Sequence, residues 1–326
     1  LKGRVLVINN EAEARRGLTF GLTREGYNVT ACPDGISAIR ELKSAQEKEK
    51  PYTHIVANIV MPDIDGIGML KAIRINYPGL LALVITSFGG EALESVVLAE
   101  PGTVCLDKSA ELPDLVKALD KLSAASTAKA VKADAIEDAK ESATAYMAIR
   151  ITEPARSMEI FRELRGMGGV ERCDAVRGGF DIIIVARGGS HEEIGRLKER
   201  IGSFKGVEIV FAYDAGRPKL DPEVDEFIRA YSQKAKPCCA AGPDRQSGRT
   251  SYIFVNIDKK AIQRAFAAAA LSDETVFCDA VDDGAGLVAM VAGQRAFGAV
   301  PRVIERLGRV CGVLRIREAE VIRLDE

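Results

Sequence analysis

Much of what site chemistry usually needs is scarce in this 326-residue chain. It carries two histidines, His54 and His191, and seven cysteines (Cys32, Cys105, Cys173, Cys238, Cys239, Cys278, Cys311) with no CxxC spacing, so a zinc site lacks suitably spaced ligands. The cysteines are odd in number and scattered, and four fall in predicted strands where a reduced thiol packs as a small apolar group; no disulfide framework is expected. Adjacent Cys238 and Cys239 read as exposed thiols rather than as a redox or metal pair. No apolar run reaches the roughly 18 residues of a membrane helix. The opening LKGRVLVINN runs straight into a strand with no signal-peptide pattern, which sets the expectation of a cytoplasmic protein. With 45 basic against 47 acidic residues, the basic excess of a nucleic-acid binder is missing. There is no phosphate-cradling glycine loop, and neither histidine has a nucleophile or acid partner at motif spacing. An enzyme, a metal site and a cofactor are therefore not expected.

What is present is an ordinary globular composition, 47% hydrophobic and 28% charged, in a chain long enough for two or three domains. Two stretches break the pattern. Residues 123–143 are rich in Ala, Lys, Glu and Asp with almost no large apolar side chain, and cannot form a core. Residues 227–250 include KPCCAAGPDRQSGR, the composition of a connecting loop. The expected domains are then 1–122, 144–226 and 251–326.

In the first, short apolar runs alternate with helical periodicity: RVLVI, NVTAC, HIVANI, LALVIT and TVCL, with helices expected around 11–24, 35–47, 66–76, 91–99 and 111–122. Five such βα units predict an α/β fold, a doubly wound five-stranded parallel sheet. Reactive groups in such sheets gather beyond the carboxyl ends of the strands, where Asn9, Asn10, Asn58, Thr86 and Lys108 fall.

The stretches VLVINNEAE (5–13), GYNV (26–29), MPDIDG (61–66), ITS (85–87) and LDKS (106–109) resemble, in order and spacing, the response-regulator receiver (CheY-like) family over about residues 3–122. The resemblance implies a phosphoacceptor pocket in which Asn58 stands at the reactive aspartate and Asn9-Asn10 at the acidic pair. Thr86 and Lys108 match the family's hydroxyl and lysine, Cys105 takes the aromatic switch position, and Ser109 replaces a proline. A phosphoryl acceptor needs an ionised nucleophile and carboxylates to hold magnesium. An amide is neutral and a poor nucleophile, so ordinary phosphotransfer is not expected. Two readings stand: the amides and Lys108 hydrogen-bond one another in a folded scaffold, or the pocket recognises another ligand or locks one signalling state. Asp63 and Asp65 belong to the turn and are poor substitutes for the nucleophile.

The remaining chain carries an internal similarity. CDAV recurs at 173–176 and 278–281, an offset of 278 − 173 = 105, and Tyr146 and Tyr252 are offset by 252 − 146 = 106. Each part reads strand, helix, strand, strand, helix, strand, predicting two α+β ferredoxin-like (βαββαβ) domains. Ser190 and Glu193 form a capping box. Gly206-Val207 and Gly312-Val313 follow the second helix of each part as a C-cap would.

VRGGFDIIIVARG (176–188) resembles the effector domain of the Lrp/AsnC family, whose sheets pair into dimers and which binds amino acids or similar small molecules near this turn. The resemblance carries Gly178, Gly179 and Asp181 over as ligand residues; read from the residues alone, Gly178-Gly179 is also simply a hairpin turn. In the second part, VDDGAGLVAMVAG, Gly284 and Gly286 are the divergent counterparts. The helix-turn-helix of that family has no match, so direct DNA binding is not expected. The expectation is a signalling protein with protein partners, its tandem modules sensing an amino-acid-type ligand or mediating assembly as an internal pseudo-dimer or a homo-oligomer. The alternative is an interaction scaffold with no small ligand.

Overall fold

The computed structural model describes residues 2–58, 61, 64–86, 102–125, 143–235, 248–294, 298–322 and 324. The helix expected over 91–99, Asp63, Ser87, Cys238, Cys239, most of the first expected linker and residues 236–247 of the second lie outside them. The chain divides into two compact units, one of residues 1–136, 220–238 and 267–273, the other of residues 137–219, 239–266 and 274–326. No helix among the described residues is long and apolar enough to cross a membrane.

In the first unit, strands β1 (Arg4–Ile8), β2 (Asn28–Cys32), β3 (His54–Asn58), β4 (Leu81–Thr86) and β5 (Thr103–Asp107) form one parallel sheet in the order β2-β1-β3-β4-β5. The central strands are near-continuous apolar runs because both faces of a parallel sheet are covered. Val5, Val7, Val56 and Leu83 pack on Leu22 and Leu119, from helices α1 (Ala12–Arg24) and α4 (Leu112–Ala125). Helix α2 (Gly35–Glu47) starts where Asp34 accepts the Ser37 N–H at 2.7 Å, and α3 (Gly66–Asn76) follows β3. At the start of β3, His54 is buried between the Thr53 and Ser123 hydroxyls, at 2.8 and 2.9 Å from its two ring nitrogens.

A further helix, α7 (Pro222–Ala235), belongs to this unit. Residues 227–235 were expected to be linker. Val224, Phe227, Ile228 and Tyr231 are buried, and their i, i+3, i+4, i+7 spacing is the apolar stripe of a packed helix. The Pro- and Gly-rich residues that follow masked that stripe.

The second unit is a closed barrel of eight antiparallel strands in the order β10-β12-β11-β9-β6-β8-β7-β13. Its first half supplies β6 (Ala143–Ile151), β7 (Val170–Arg177), β8 (Ile182–Gly188) and β9 (Val207–Gly216), with helices α5 (Ser157–Arg165) and α6 (His191–Gly202). The second half supplies β10 (Gly248–Ile257), β11 (Thr275–Val281), β12 (Gly286–Gln294) and β13 (Val313–Val321), with α9 (Ala299–Arg309); α8 (Ile262–Ala270) links β10 to β11. The halves join where β9 meets β11 and where β13 meets β7, each through two register pairs. Both halves bulge at matching places, between Val170 and Arg172 and between Thr275 and Phe277.

Local signals are realised with adjustments. The Ser190 hydroxyl accepts the Glu193 N–H at 3.3 Å, while the Glu193 carboxylate reaches the Gly189 N–H at 2.8 Å rather than the N–H of Ser190 itself. Gly206 and Gly312 adopt left-handed φ of 86° and 97°, but neither caps a helix. Ser203 and Val310 do so, and the glycines turn the chain into β9 and β13.

One face of each half-sheet packs on helices: Ala145, Met147 and Ile184 of the first half meet Ile160, Leu164 and Leu197. The other faces meet each other, in a cluster joining Tyr146, Phe180 and Val185 with Tyr252, Phe254 and Met290. Two reciprocal bonds cross it. The Tyr146 hydroxyl donates to Asp279 at 2.5 Å and the Tyr252 hydroxyl to Asp174 at 2.6 Å. Asp174 also pairs with Arg172 at 3.1 Å. Two residues before Asp279 the chain has Phe277, stacked on Tyr146, so the two bonds have unequal surroundings. Burial pushes the Asp279 carboxyl above its usual range, opposed by Tyr146, Arg187 and Arg217.

Tyr146→Phe should therefore cost about 1–3 kcal/mol of barrel stability by leaving Asp279 without its donor. Tyr252→Phe should cost less, because Arg172 still meets Asp174; urea midpoints of the two variants give the order. Burial also lowers the pKa of His54, against a weaker opposing pull from Asp120. The unfolded chain then takes up the proton first, so the contribution is complete above the unfolded pKa of about 6.5 and is lost as pH falls toward the folded value. Urea unfolding of the first unit's transition across this range should show that decline, and His54→Gln should flatten it.

Candidate functional site

The parallel sheet brings four chain segments together at one edge. Asn9 and Asn10 follow β1, Asn58 ends β3, Thr86 ends β4 and Lys108 follows β5, so the expected pocket is assembled by strand direction alone. Asn9, Asn58 and Thr86 are 4, 8 and 2% exposed, which places their polar groups where each needs a partner. Asn9 Oδ1 accepts the Glu11 N–H at 2.9 Å and so turns the chain into α1. Asn58 Nδ2 donates to Asn10 Oδ1 at 3.2 Å, and the Lys108 N–H donates to the Thr86 carbonyl at 2.8 Å, tying β5 to β4.

Sequence reasoning missed three participants. Glu11 forms the ion pair with Lys108; with side chains 40 and 48% exposed, that pair contributes little stability. Arg15 donates to the Asn9 carbonyl at 2.7 Å, placing a guanidinium beside the β1 end. Asp107 accepts from the Ser109 N–H at 2.8 Å and from its hydroxyl, and these bonds hold its carboxyl below the usual range. Glu11 was legible as the acid following Asn9-Asn10, and Arg15 as the basic residue one helical turn on. Cys105 lies half-buried in β5. Among the described residues no group of three or more His, Cys, Asp or Glu side chains is placed to hold a metal ion.

The barrel residues carried over from the second resemblance lie elsewhere and have backbone partners. Asp181 uses three groups on neighbouring strands: its N–H donates to the Ile149 carbonyl at 2.8 Å, its carbonyl accepts the Val176 N–H at 2.9 Å, and its carboxylate accepts the Ile151 N–H at 2.7 Å. A Cβ on Gly178 would stand 3.3 Å from the Glu318 carbonyl oxygen, so this glycine permits close approach to β13. Gly179 has open space around it and its carbonyl accepts from Arg150 at 3.5 Å. At the corresponding place in the second half, the Ile257 N–H donates to the Ala285 carbonyl at 2.9 Å. That carbonyl is brought into reach by a turn in which Asp282, Asp283 and Gly284 are all left-handed (φ 53°, 49° and 82°). A Cβ on Gly286 would meet Val281 Cγ2 at 2.8 Å. A backbone carbonyl thus does for Ile257 what the Asp181 carboxylate does for Ile151.

The response regulator receiver domain family matches residues 5–120. The chain is 32% identical over 119 residues to the response regulator receiver protein CpdR of Brucella abortus (strain 2308), covering 36% of this chain and 95% of that protein. The chain belongs to the response regulator receiver family. Membership rests on the first 120 residues and supports a role in signal transduction. The receiver is also 32% identical over 83 residues to the probable transcriptional regulatory protein TcrX of Mycobacterium tuberculosis (strain ATCC 25618 / H37Rv), but spans only 33% of that protein's length and 26% of this chain. Among solved structures, chemotaxis protein CheY4 of Vibrio cholerae aligns at 23% identity with a TM-score of 0.34, covering 36% of this chain and 97% of that one. In the receiver described here, the sheet order β2-β1-β3-β4-β5 is that of the CheY-like fold.

The Asp181 geometry sets an expected outcome. Asp181→Ala should destabilise the barrel by about 1–2 kcal/mol because the Ile151 N–H loses its acceptor, whereas Asp181→Asn, which keeps an oxygen there, should cost less. Thermal unfolding of the two variants measures the difference.

Proposed function

We propose that this chain is a signal-transduction protein whose receiver does not accept a phosphoryl group, joined to two ferredoxin-like modules that act in assembly. The observation that carries the reading is the hydrogen bond from the Asn58 side-chain amide to that of Asn10 at the carboxyl ends of β3 and β1. The position that the family resemblance gives to the nucleophile holds a neutral amide, and the neighbouring acid-pair positions are amides too. Without an ionised nucleophile no acyl phosphate forms, and without those carboxylates magnesium is weakly held. The nearby acid Glu11 is engaged by Lys108.

Support for the second part of the reading comes from the strand order β9-β6-β8-β7 and its echo β13-β10-β12-β11, the order of a ferredoxin-like unit, and from the matching bulges. The two halves of the barrel then form an internal pseudo-dimer. The resemblance to Lrp/AsnC effector domains implies amino-acid sensing at the Gly178–Asp181 turn. Assembly is placed ahead of it because the Asp181 carboxylate is taken by the Ile151 N–H. On this reading the chain is not an enzyme, works in the cytoplasm, and acts through protein partners.

Incubation with acetyl phosphate and magnesium should leave the full chain unlabelled, while Asn9→Asp/Asn10→Asp/Asn58→Asp should take up an acid-stable, base-labile phosphoryl group detected by mass. Stoichiometric aspartyl phosphate on the unaltered chain would overturn the reading.

A further inference from the structure

Helix α7 lies outside the receiver's own run of βα units in sequence, yet it packs with the receiver. Its buried face, Val224, Phe227, Ile228 and Tyr231, is bordered by acids that meet bases on α2. Arg40 Nε donates to Asp221 at 2.9 Å and Lys43 pairs with Glu226 at 2.8 Å. A second acidic anchor, Asp273, accepts the Tyr231 hydroxyl at 2.5 Å and pairs with Lys71 of α3. The charges are segregated: α2 and α3 supply the cations, and α7 with the Leu271–Asp273 turn supplies the anions.

The tightest point is at the start of α3. A Cβ built on Gly68 would stand 1.6 Å from the Leu271 carbonyl oxygen, so the two backbones approach in a way that no residue but glycine permits. Gly68 is in the first turn of α3, the helix that receives the loop from Asn58. Both docking segments run on directly into the barrel strands: α7 begins six residues after β9 ends, and Asp273 lies two residues before β11.

We propose that α7 and the Leu271–Asp273 turn form an intramolecular latch on the α2–α3 face of the receiver. The latch fixes α3 without a phosphoryl group, and relays a displacement of α3 along the chain to β9 and β11. It stands on contacts that do not depend on whether the receiver accepts a phosphoryl group. Failure of the labelling experiment and failure of the latch are thus separate results.

The test is hydrogen exchange on the full chain, read by mass spectrometry over residues 222–235, 207–216 and 275–281, with β1, β3 and β12 as internal references. Gly68→Ala strengthens α3 as an isolated helix but collides with the Leu271 carbonyl. It should speed exchange of 222–235 about tenfold, with a smaller rise in 207–216 and 275–281, while the reference strands stay protected. Lys71→Glu and Asp273→Lys should each speed exchange of 222–235, and the double variant should recover the part that the ion pair contributes, Tyr231 still lacking its Asp273 acceptor. Unchanged exchange of 222–235 in Gly68→Ala, or a double reversal no better than the single ones, overturns the latch. A response in 222–235 with none in the two barrel peptides overturns the relay. Should Gly68→Ala not fold, the charge-reversal set decides alone.

Discussion

Eight strands can close into a barrel only if each half-sheet surrenders its bare face and both its edges to the other. This mutual cover is the constraint on which the second unit depends. Either half alone, with helices on one side, would expose Tyr146, Phe180 and Val185 or Tyr252, Phe254 and Met290. It would also leave β7 and β9, or β11 and β13, as unpaired edges. Apolar burial brings the faces together without direction. The crossed Tyr–Asp bonds give the closure a register, because a slip along the strands would take the tyrosine donor from both carboxylates and leave Asp174 with Arg172 alone.

The receiver shows a different economy of charge. Its strand ends converge by topology, and in the family that convergence serves to hold metal and phosphoryl groups. Here three of the converging groups are amides: Asn58 donates to Asn10, and Asn9 accepts the Glu11 N–H. Such a pocket keeps its geometry at no electrostatic penalty, since three adjacent carboxylates would repel unless a cation were bound. The stability of such a fold and its capacity for chemistry are separable.

The parallel sheet was legible because the apolar runs from RVLVI to TVCL have strand length and alternate with helical periods, and direction alone then placed Asn9, Asn58, Thr86 and Lys108 together. The barrel's strands were legible from period and from the offset of CDAV. Its closure was not, because nothing in a strand's pattern says whether the face it buries is met by the same chain or by another. Helix α7 is hidden in the sequence because its apolar stripe runs on without a break into the loop-like composition of residues 236–249. The roles of Asp181 and of the Leu271 carbonyl were beyond reach for a simpler reason: both depend on backbone groups distant in sequence, and backbone leaves no residue-type signal.

Arg172 in one half corresponds to Phe277 in the other, and Asp181 to Gly286. In an assembly of two identical chains, any substitution appears on both sides of the axis at once, so a change that helps one wall must be tolerated by the other. A barrel made from one polypeptide is free of that rule. Each wall is encoded separately, and mutation can make one carry an ion pair while its opposite carries an aromatic stack. The single chain is therefore a means by which a symmetric architecture can accumulate asymmetry, one side at a time.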